Sequence, residues 1–450
     1  MRRKDMVNRV SMIAACLLLS CGGSLRAHPA AMLEQLDYPI VAGFENFFIL
    51  EDSEEYLARG GELLLSELNC VACHAPESES LSRRIPGRRA PDLSGVGSRL
   101  SPRDLRFMVR NPRHVKQGTT MPTLFASSDR DLSEIEALTS YLVSRKAPVE
   151  MMPAGDKERG KDIYHAVGCV ACHAMEERAR PARLPEGEEP EIPGFPSVPI
   201  ALAYLYEETA LAQFLENPLE VRPSGRMPGM KLSSQQAADV ARYLKAWLPP
   251  ASPDPYTLNE EQVARGEALF FEKGCAACHQ RGEDPRPGAP SFTALESLDP
   301  RAEKSCLSES PQKGAIPYYY LDFIQIEAIS LALERIAAGE ADVVLSAPER
   351  IDRVMTKLNC YACHERDGKG GMEPARAIWF PALDPAAPVA DELEIATSLT
   401  LVGSRHERSQ LESLVGAHGD EVPAVPALRM PRYGDFNLKG LAGDLAEVDR

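Results

Sequence analysis

Aromatic side chains are scarce in this sequence, at 6% of residues, and only two are tryptophan. A core of stacked rings is excluded, and small domains here need something besides side chains to fill them. Long apolar runs are missing too. Val10 to Ser20 comes nearest, and its eleven residues fall short of the roughly 20 that a membrane-spanning helix needs. Basic charge is in deficit: 50 Lys and Arg face 66 Asp and Glu, a net charge of -16. That balance argues against nucleic acid as a partner. It favours solubility and salt-dependent steering toward basic partners. Convincing strand alternation is absent as well. What remains is a 450-residue chain, long enough for three or four domains and slightly rich in Gly and Pro.

Cysteine is the exception to this plainness. Eight of the eleven cysteines fall into one repeated pattern: Cys70-Val71-Ala72-Cys73-His74, Cys169-Val170-Ala171-Cys172-His173, Cys275-Ala276-Ala277-Cys278-His279 and Cys360-Tyr361-Ala362-Cys363-His364. C-x-x-C-H is the attachment signature of c-type haem. Two thiols at that spacing form thioethers to the two vinyl groups of one porphyrin. The next residue lies under the iron, and its imidazole is the proximal ligand. Zinc sites also use C-x-x-C, but they need a second ligand pair. Only five His lie outside the motifs, with no pair at H-x₃₋₅-H spacing. A thioredoxin-like motif occurs once, in a βαβ setting. Disulfides do not require a His after every pair. Four covalent haems c are therefore expected.

Residues 1–27 read as an export signal. Arg2, Arg3, Lys4 and Arg9 precede the apolar run. Leu18-Leu19-Ser20-Cys21 resembles a bacterial lipobox, which implies a lipid on Cys21; ordinary cleavage near Ala27 is the alternative. A periplasmic location follows, on a membrane only through a lipid or a partner. Cys16 lies in the signal, which leaves Cys306 as an unpaired cysteine of the mature chain.

The motifs are spaced by 99, 106 and 85 residues, a repeat of whole small domains. A helical stretch precedes each: Glu54 to Leu68, Lys157 to Val167, Glu260 to Lys273 and Pro348 to Leu358. Arg59-Gly60, Arg159-Gly160 and Arg265-Gly266 recur in three of these, with the Arg ten or eleven residues before the first Cys; the fourth keeps only Arg350. Leu132 to Ser144, Ser233 to Trp247 and Leu321 to Ala338 carry apolar residues at helical spacing. Proline-rich linkers follow at Lys146 to Gly155 and Leu248 to Tyr256. The expectation is an all-α chain: an N-terminal extension over 28–53, then four tandem modules at 54–148, 156–249, 256–345 and 346–450.

Helix, C-x-x-C-H, a Met-bearing loop and a closing helix resemble class I cytochrome c. Ala90-Pro91-Asp92-Leu93-Ser94-Gly95-Val96-Gly97 is similar to that family's proximal loop, whose Pro carbonyl accepts a bond from the proximal His. The resemblance covers most of 50–250 and is thinner beyond. Residues 358–368 also resemble modules of large bacterial multihaem proteins.

The resemblance implies a Met thioether as sixth ligand. Met121-Pro122, Met227-Pro228 and Met430-Pro431 lie 47, 54 and 66 residues after their proximal His, and Met230 competes locally with Met227. The bland alternative is that Met fills gaps in cores. Between His279 and Met355 there is neither Met nor His, and Met355 sits in the helix leading to the next motif. Cys306, Tyr318 to Tyr320, Lys304 and Lys313 are the remaining donors for module three, and Cys306 is the leading candidate unless it is a small buried hydrophobe. His28, His114 and His165 read as surface or local residues, and His406 and His418, in the fourth module, are rivals to Met430.

Three six-coordinate irons favour electron carriage between redox proteins: a periplasmic dehydrogenase on one side, an acceptor cytochrome or oxidase on the other. Two alternatives are a haem enzyme of peroxidase or sulfur-oxidation type with module three as its active haem, and a cytochrome subunit of a dehydrogenase complex.

Overall fold

The computed structural model describes residues 38–49, 53–125, 129–173, 205–246, 255–282, 292–303, 305–308, 316–341, 344–371, 398–415 and 429–450. The signal, Cys16, Cys21, His28 and His418 lie outside them. The described part is helical; its only strands are a two-residue antiparallel hairpin, β1 (Glu365–Arg366) with β2 (Lys369–Gly370). No described helix is long and apolar enough to cross a membrane.

Four helices lead into the motifs: α1 (Glu54–Glu67), α3 (Lys157–Ala166), α5 (Glu260–Glu272) and α7 (Ala347–Lys357). Four more close the units: α2 (Asp129–Ser144), α4 (Ser234–Lys245), α6 (Phe323–Ala337) and α8 (Leu441–Val448). Local chemistry starts them where it should. Ser53, Asp156 and Asn259 accept backbone N–H bonds at the first turns of α1, α3 and α5. Ser233 with Gln236, Asp322 with Gln325 and Ser346 with Glu349 form capping boxes on α4, α6 and α7.

Pairing of these helices defines the cores. Helix α3 packs on α4, and α7 on α8, each within consecutive sequence. The other two pairs cross over: α1 packs on α6, and α5 packs on α2. Leu57, Leu64 and Leu65 of α1 share a core with Ala328, Ile329 and Leu333 of α6. Leu269 and Phe270 of α5 share one with Ile135, Leu138 and Tyr141 of α2. Each such buried Leu, Ile or Phe side chain contributes on the order of 1.5–3 kcal/mol. The expected modules 54–148 and 256–345 therefore do not close on themselves. They exchange their closing helices, and the chain passes from one unit to the other between Ile85 and Pro91.

The crossings are close because of glycine. A Cβ on Gly160 would lie 1.9 Å from the Asp239 carbonyl oxygen; on Gly61, 1.9 Å from that of Ala328; on Gly266, 2.0 Å from that of Ala137. The exchanged contacts repeat the unexchanged one atom for atom. The recurrent Arg clamps the same crossing elsewhere: Arg159 donates to Asp239 at 2.9 Å, Arg350 to Asp444 at 2.5 and 3.0 Å, and Arg265 to Ser133 at 2.8 Å. Arg350 thus keeps its role without its glycine. A short helix supports two closing helices in the same way. Gly97 of Val96–Arg99 meets the backbone of α2, and Gly403 of Val402–Arg405 meets that of α8. The shared sequence Val-Gly-Ser-Arg explains the shared docking.

Candidate haem-attachment sites

Each lead helix stops at one left-handed residue before the first cysteine: Asn69 (φ 62°), Gly168 (φ 98°), Gly274 (φ 74°) and Asn359 (φ 58°). Asn and Gly are the residues that tolerate this conformation. The motif then forms a single turn in which the His N–H bonds the carbonyl of the first Cys, at 2.9 Å in all four. Two thiols and an imidazole are thereby presented from one compact loop.

Two of the motif histidines bond a backbone carbonyl through Nδ1. His279 Nδ1 lies 2.9 Å from the Pro91 carbonyl, and His74 Nδ1 lies 2.8 Å from that of Thr293. Donation from Nδ1 fixes the tautomer and leaves Nε2 for a metal. Burial pushes the His279 imidazole below its usual value, so it is neutral, as a ligand must be. The proximal-loop resemblance at Pro91 holds in form, yet the loop serves His279 and not His74. The exchange of helices extends to the loops.

The four motifs meet in two pairs. Asn69 Nδ2 donates to Cys278 Sγ at 3.3 Å, joining the first motif to the third. Asn359 Nδ2 reaches Cys172 Sγ at 3.7 Å, joining the fourth to the second. In each pair an Asn-Cys motif faces a Gly-Cys motif.

The Met-Pro loops pair likewise. Gly229 and Arg432 exchange backbone hydrogen bonds at 2.9 and 2.8 Å, as do Thr123 and Tyr318 at 2.9 and 3.0 Å. Gly229, Arg432 and Thr123 each stand two residues after a Met of a Met-Pro pair. Tyr318 stands two after Ile316 in Ile316-Pro317, a fourth copy that a search for Met overlooks. Tyr319 and Tyr433 follow at the next position of their loops. Desolvation, then the neighbouring thiols of both paired motifs, pushes their phenols well above the ordinary value, so both rings stay neutral.

Met121 is half-buried and Met430 is 42% exposed, and neither joins a protein core, whereas Met227 is half-buried and packs at the edge of the α3–α4 core. Met230 is 7% exposed in the α3–α4 core and Met355 is 1% exposed in the α7–α8 core, where both act as packing. The loop bearing Met121 feeds α2, which packs on α5 of the third motif. The loop bearing Ile316 feeds α6, which packs on α1 of the first. Cys306, expected at the third motif, neighbours Cys70 and Cys73, and the adjacent Leu307 packs on the α1–α6 core. Its place beside the first motif follows from the same exchange. His114 and His406 are exposed, and His165 Nδ1 bonds the Lys161 carbonyl within its own helix.

The polar surroundings fit a porphyrin with its two carboxylates. Arg88, Lys116, Arg222 and Arg226 converge with Glu67 as the local anion. Desolvation, then the charge of Arg226, pushes Arg88 down to about 9. Lys116 falls well below its usual value, from desolvation and then the same arginines. The Nε atoms of Arg88, Arg222 and Arg429 are shielded from solvent without a hydrogen-bond partner among the described residues. Anionic groups beside the motifs would satisfy them. Burial pushes Cys70, Cys169, Cys275 and Cys360 up to about 12, so the free thiols are protonated. No group of three or more His, Cys, Asp or Glu among the described residues is arranged around a metal ion.

A sequence model of the cytochrome c family matches residues 157–247 and 263–327. The first match runs from α3 to α4. The second starts in α5 and ends in α6, across a stretch that the structure divides between two units. No curated protein and no solved structure matches the chain. Over these two stretches the chain is similar to cytochrome c, a family of helical haem c proteins.

Proposed function

We propose that the protein is a tetrahaem electron carrier whose haems work as two pairs, first with third and second with fourth. The observation that carries this reading is the repeated contact of one motif's Asn with the other motif's cysteine. Cys70/Cys73, Cys169/Cys172, Cys275/Cys278 and Cys360/Cys363 would each hold one haem c, whose iron supplies reversible one-electron chemistry. His74, His173, His279 and His364 would be the proximal ligands.

Met227 and Met430 would close the second and fourth sites, and Met121 the third. Thioether ligation raises the potential and keeps substrate off the iron. Tyr319 and Tyr433 would fill the space between paired motifs with neutral rings and exclude water from it. The acidic surface would steer basic redox partners, a dehydrogenase or a cytochrome, in a salt-dependent way. Export to the periplasm and a lipid on Cys21 complete the proposal.

Intact-mass measurement tests the count: four haem additions are expected, and fewer would contradict it. Optical spectra of the oxidised protein test the ligands. Met227→Ala, Met430→Ala and Met121→Ala should each remove one share of the Met–iron charge-transfer band and lower one potential. A band untouched by all three would sink the ligand scheme.

A further inference from the structure

The unit around the first motif draws its described residues from 38–49, 53–90 and 292–341. Apart from His74, that sequence holds no His, and it holds no Met. Its loop into the closing helix keeps the architecture of the other three. Tyr318 is bridged to Thr123 as Arg432 is to Gly229, which fixes the register and sets Ile316 where Met121, Met227 and Met430 stand. The proline after it is retained as Pro317. What has changed is the donor: a sec-butyl group has no lone pair to offer iron.

The neighbouring tyrosines are occupied in packing. Tyr318 and Tyr320 meet ring to ring at 4.3 Å, Arg113 covers Tyr320 at 4.0 Å, and Tyr319 packs against the α1–α6 core. The same reading that moves Met121 to the third motif therefore leaves the first without the family's thioether.

We propose that the first motif is a ligand-accepting site, at which Ile316 leaves the distal side open to a small exogenous iron ligand of the carbon monoxide or cyanide class. This rests on the tetrahaem reading and deepens it. The open position lies at the first motif, beside the third, so an electron could pass directly from a closed relay to the open site.

Titration of the reduced holoprotein with carbon monoxide, followed by the Soret shift, tests this. One carbon monoxide per molecule is expected. Ile316→Met should abolish that binding and strengthen the Met–iron band, whereas Ile316→Leu should leave binding in place. Met121→Ala should raise the stoichiometry to two. Carbon monoxide binding that persists in Ile316→Met would overturn the inference. So would a wild type that binds none and shows a low-spin thiolate signal in electron paramagnetic resonance that Cys306→Ala removes. A peptide map separates the failures. Haem present on Cys70 and Cys73 without ligand binding defeats the open site alone; haem missing from that peptide defeats the tetrahaem reading and the open site with it.

Discussion

The second and fourth units close on consecutive sequence, whereas the first and third reach the same packing only by trading helices and loops. Gly160 against Asp239 and Gly266 against Ala137 are the same crossing, yet the first pair is separated by 79 residues and the second by 129 in the opposite order. The comparison teaches that a tandem repeat specifies what each piece packs against, not which copy. Equivalent interfaces have similar energies, so an exchange costs little once a short connection permits it. Here the turn from Ile85 to Pro91 delivers the chain to the third motif before the third motif has appeared in the sequence.

The largest expected effect falls on the unexchanged side. Arg366 and Asp449 are both buried and joined by bonds of 2.6 and 3.1 Å, and Gly403 N–H also donates to Asp449. Asp449→Ala strands a buried cation and should cost about 3–5 kcal/mol by denaturant unfolding. Next come Gly61→Ala and Gly266→Ala. Each drives a methyl into a carbonyl, and each should cost about 1–3 kcal/mol with the first and third units disturbed together.

A double-mutant cycle on Glu134 and Lys273 sharpens the comparison further. They form a 2.6 Å ion pair across the exchanged α2–α5 contact. A coupling of about 0.5–3 kcal/mol is expected; zero coupling would argue for modules closed in sequence order. Desolvation alone would raise the Glu134 carboxyl, but Lys273 and Arg130 outweigh it and hold the carboxyl below its ordinary value. A depressed carboxylate stabilises above the unfolded pKa of about 4.3, and that contribution is lost as pH falls through the folded value. Acid unfolding monitored at the third unit should therefore steepen, and Glu134→Gln should flatten it. The smallest effect is expected from Asn69→Gly and Asn359→Gly. Both keep the left-handed turn; Asn69→Gly loses the bond to Cys278 Sγ and the one from the Arg88 N–H, Asn359→Gly only the bond to Cys172 Sγ, at about 1 kcal/mol or less per bond in thermal melts.

Much of the fold is legible in the sequence because it is written locally. Ser233-x-x-Gln236, Asp322-x-x-Gln325 and the Arg ten residues before each of the last three motifs mark helices that occur within a residue or two of expectation. The attachment turns are legible for the same reason: C-x-x-C-H contains its own geometry. Pairing between copies is not local, and nothing in α1 distinguishes α2 from α6 as a partner. One signal was available for the missing Met. Ile316-Pro317-Tyr318-Tyr319 matches Met430-Pro431-Arg432-Tyr433 at the proline and the second tyrosine, and reads as a loop of the same kind once the donor is set aside.

The exchange itself is tested most directly by a photo-crosslinker at position 270. The Phe270 ring lies 5.5 Å from that of Tyr141 in α2. In the intact holoprotein, a photoreactive phenylalanine at 270 should crosslink to peptides from 129–144. Crosslinks to 323–337 in their place would show that the third unit closes on consecutive sequence, and would contradict the account.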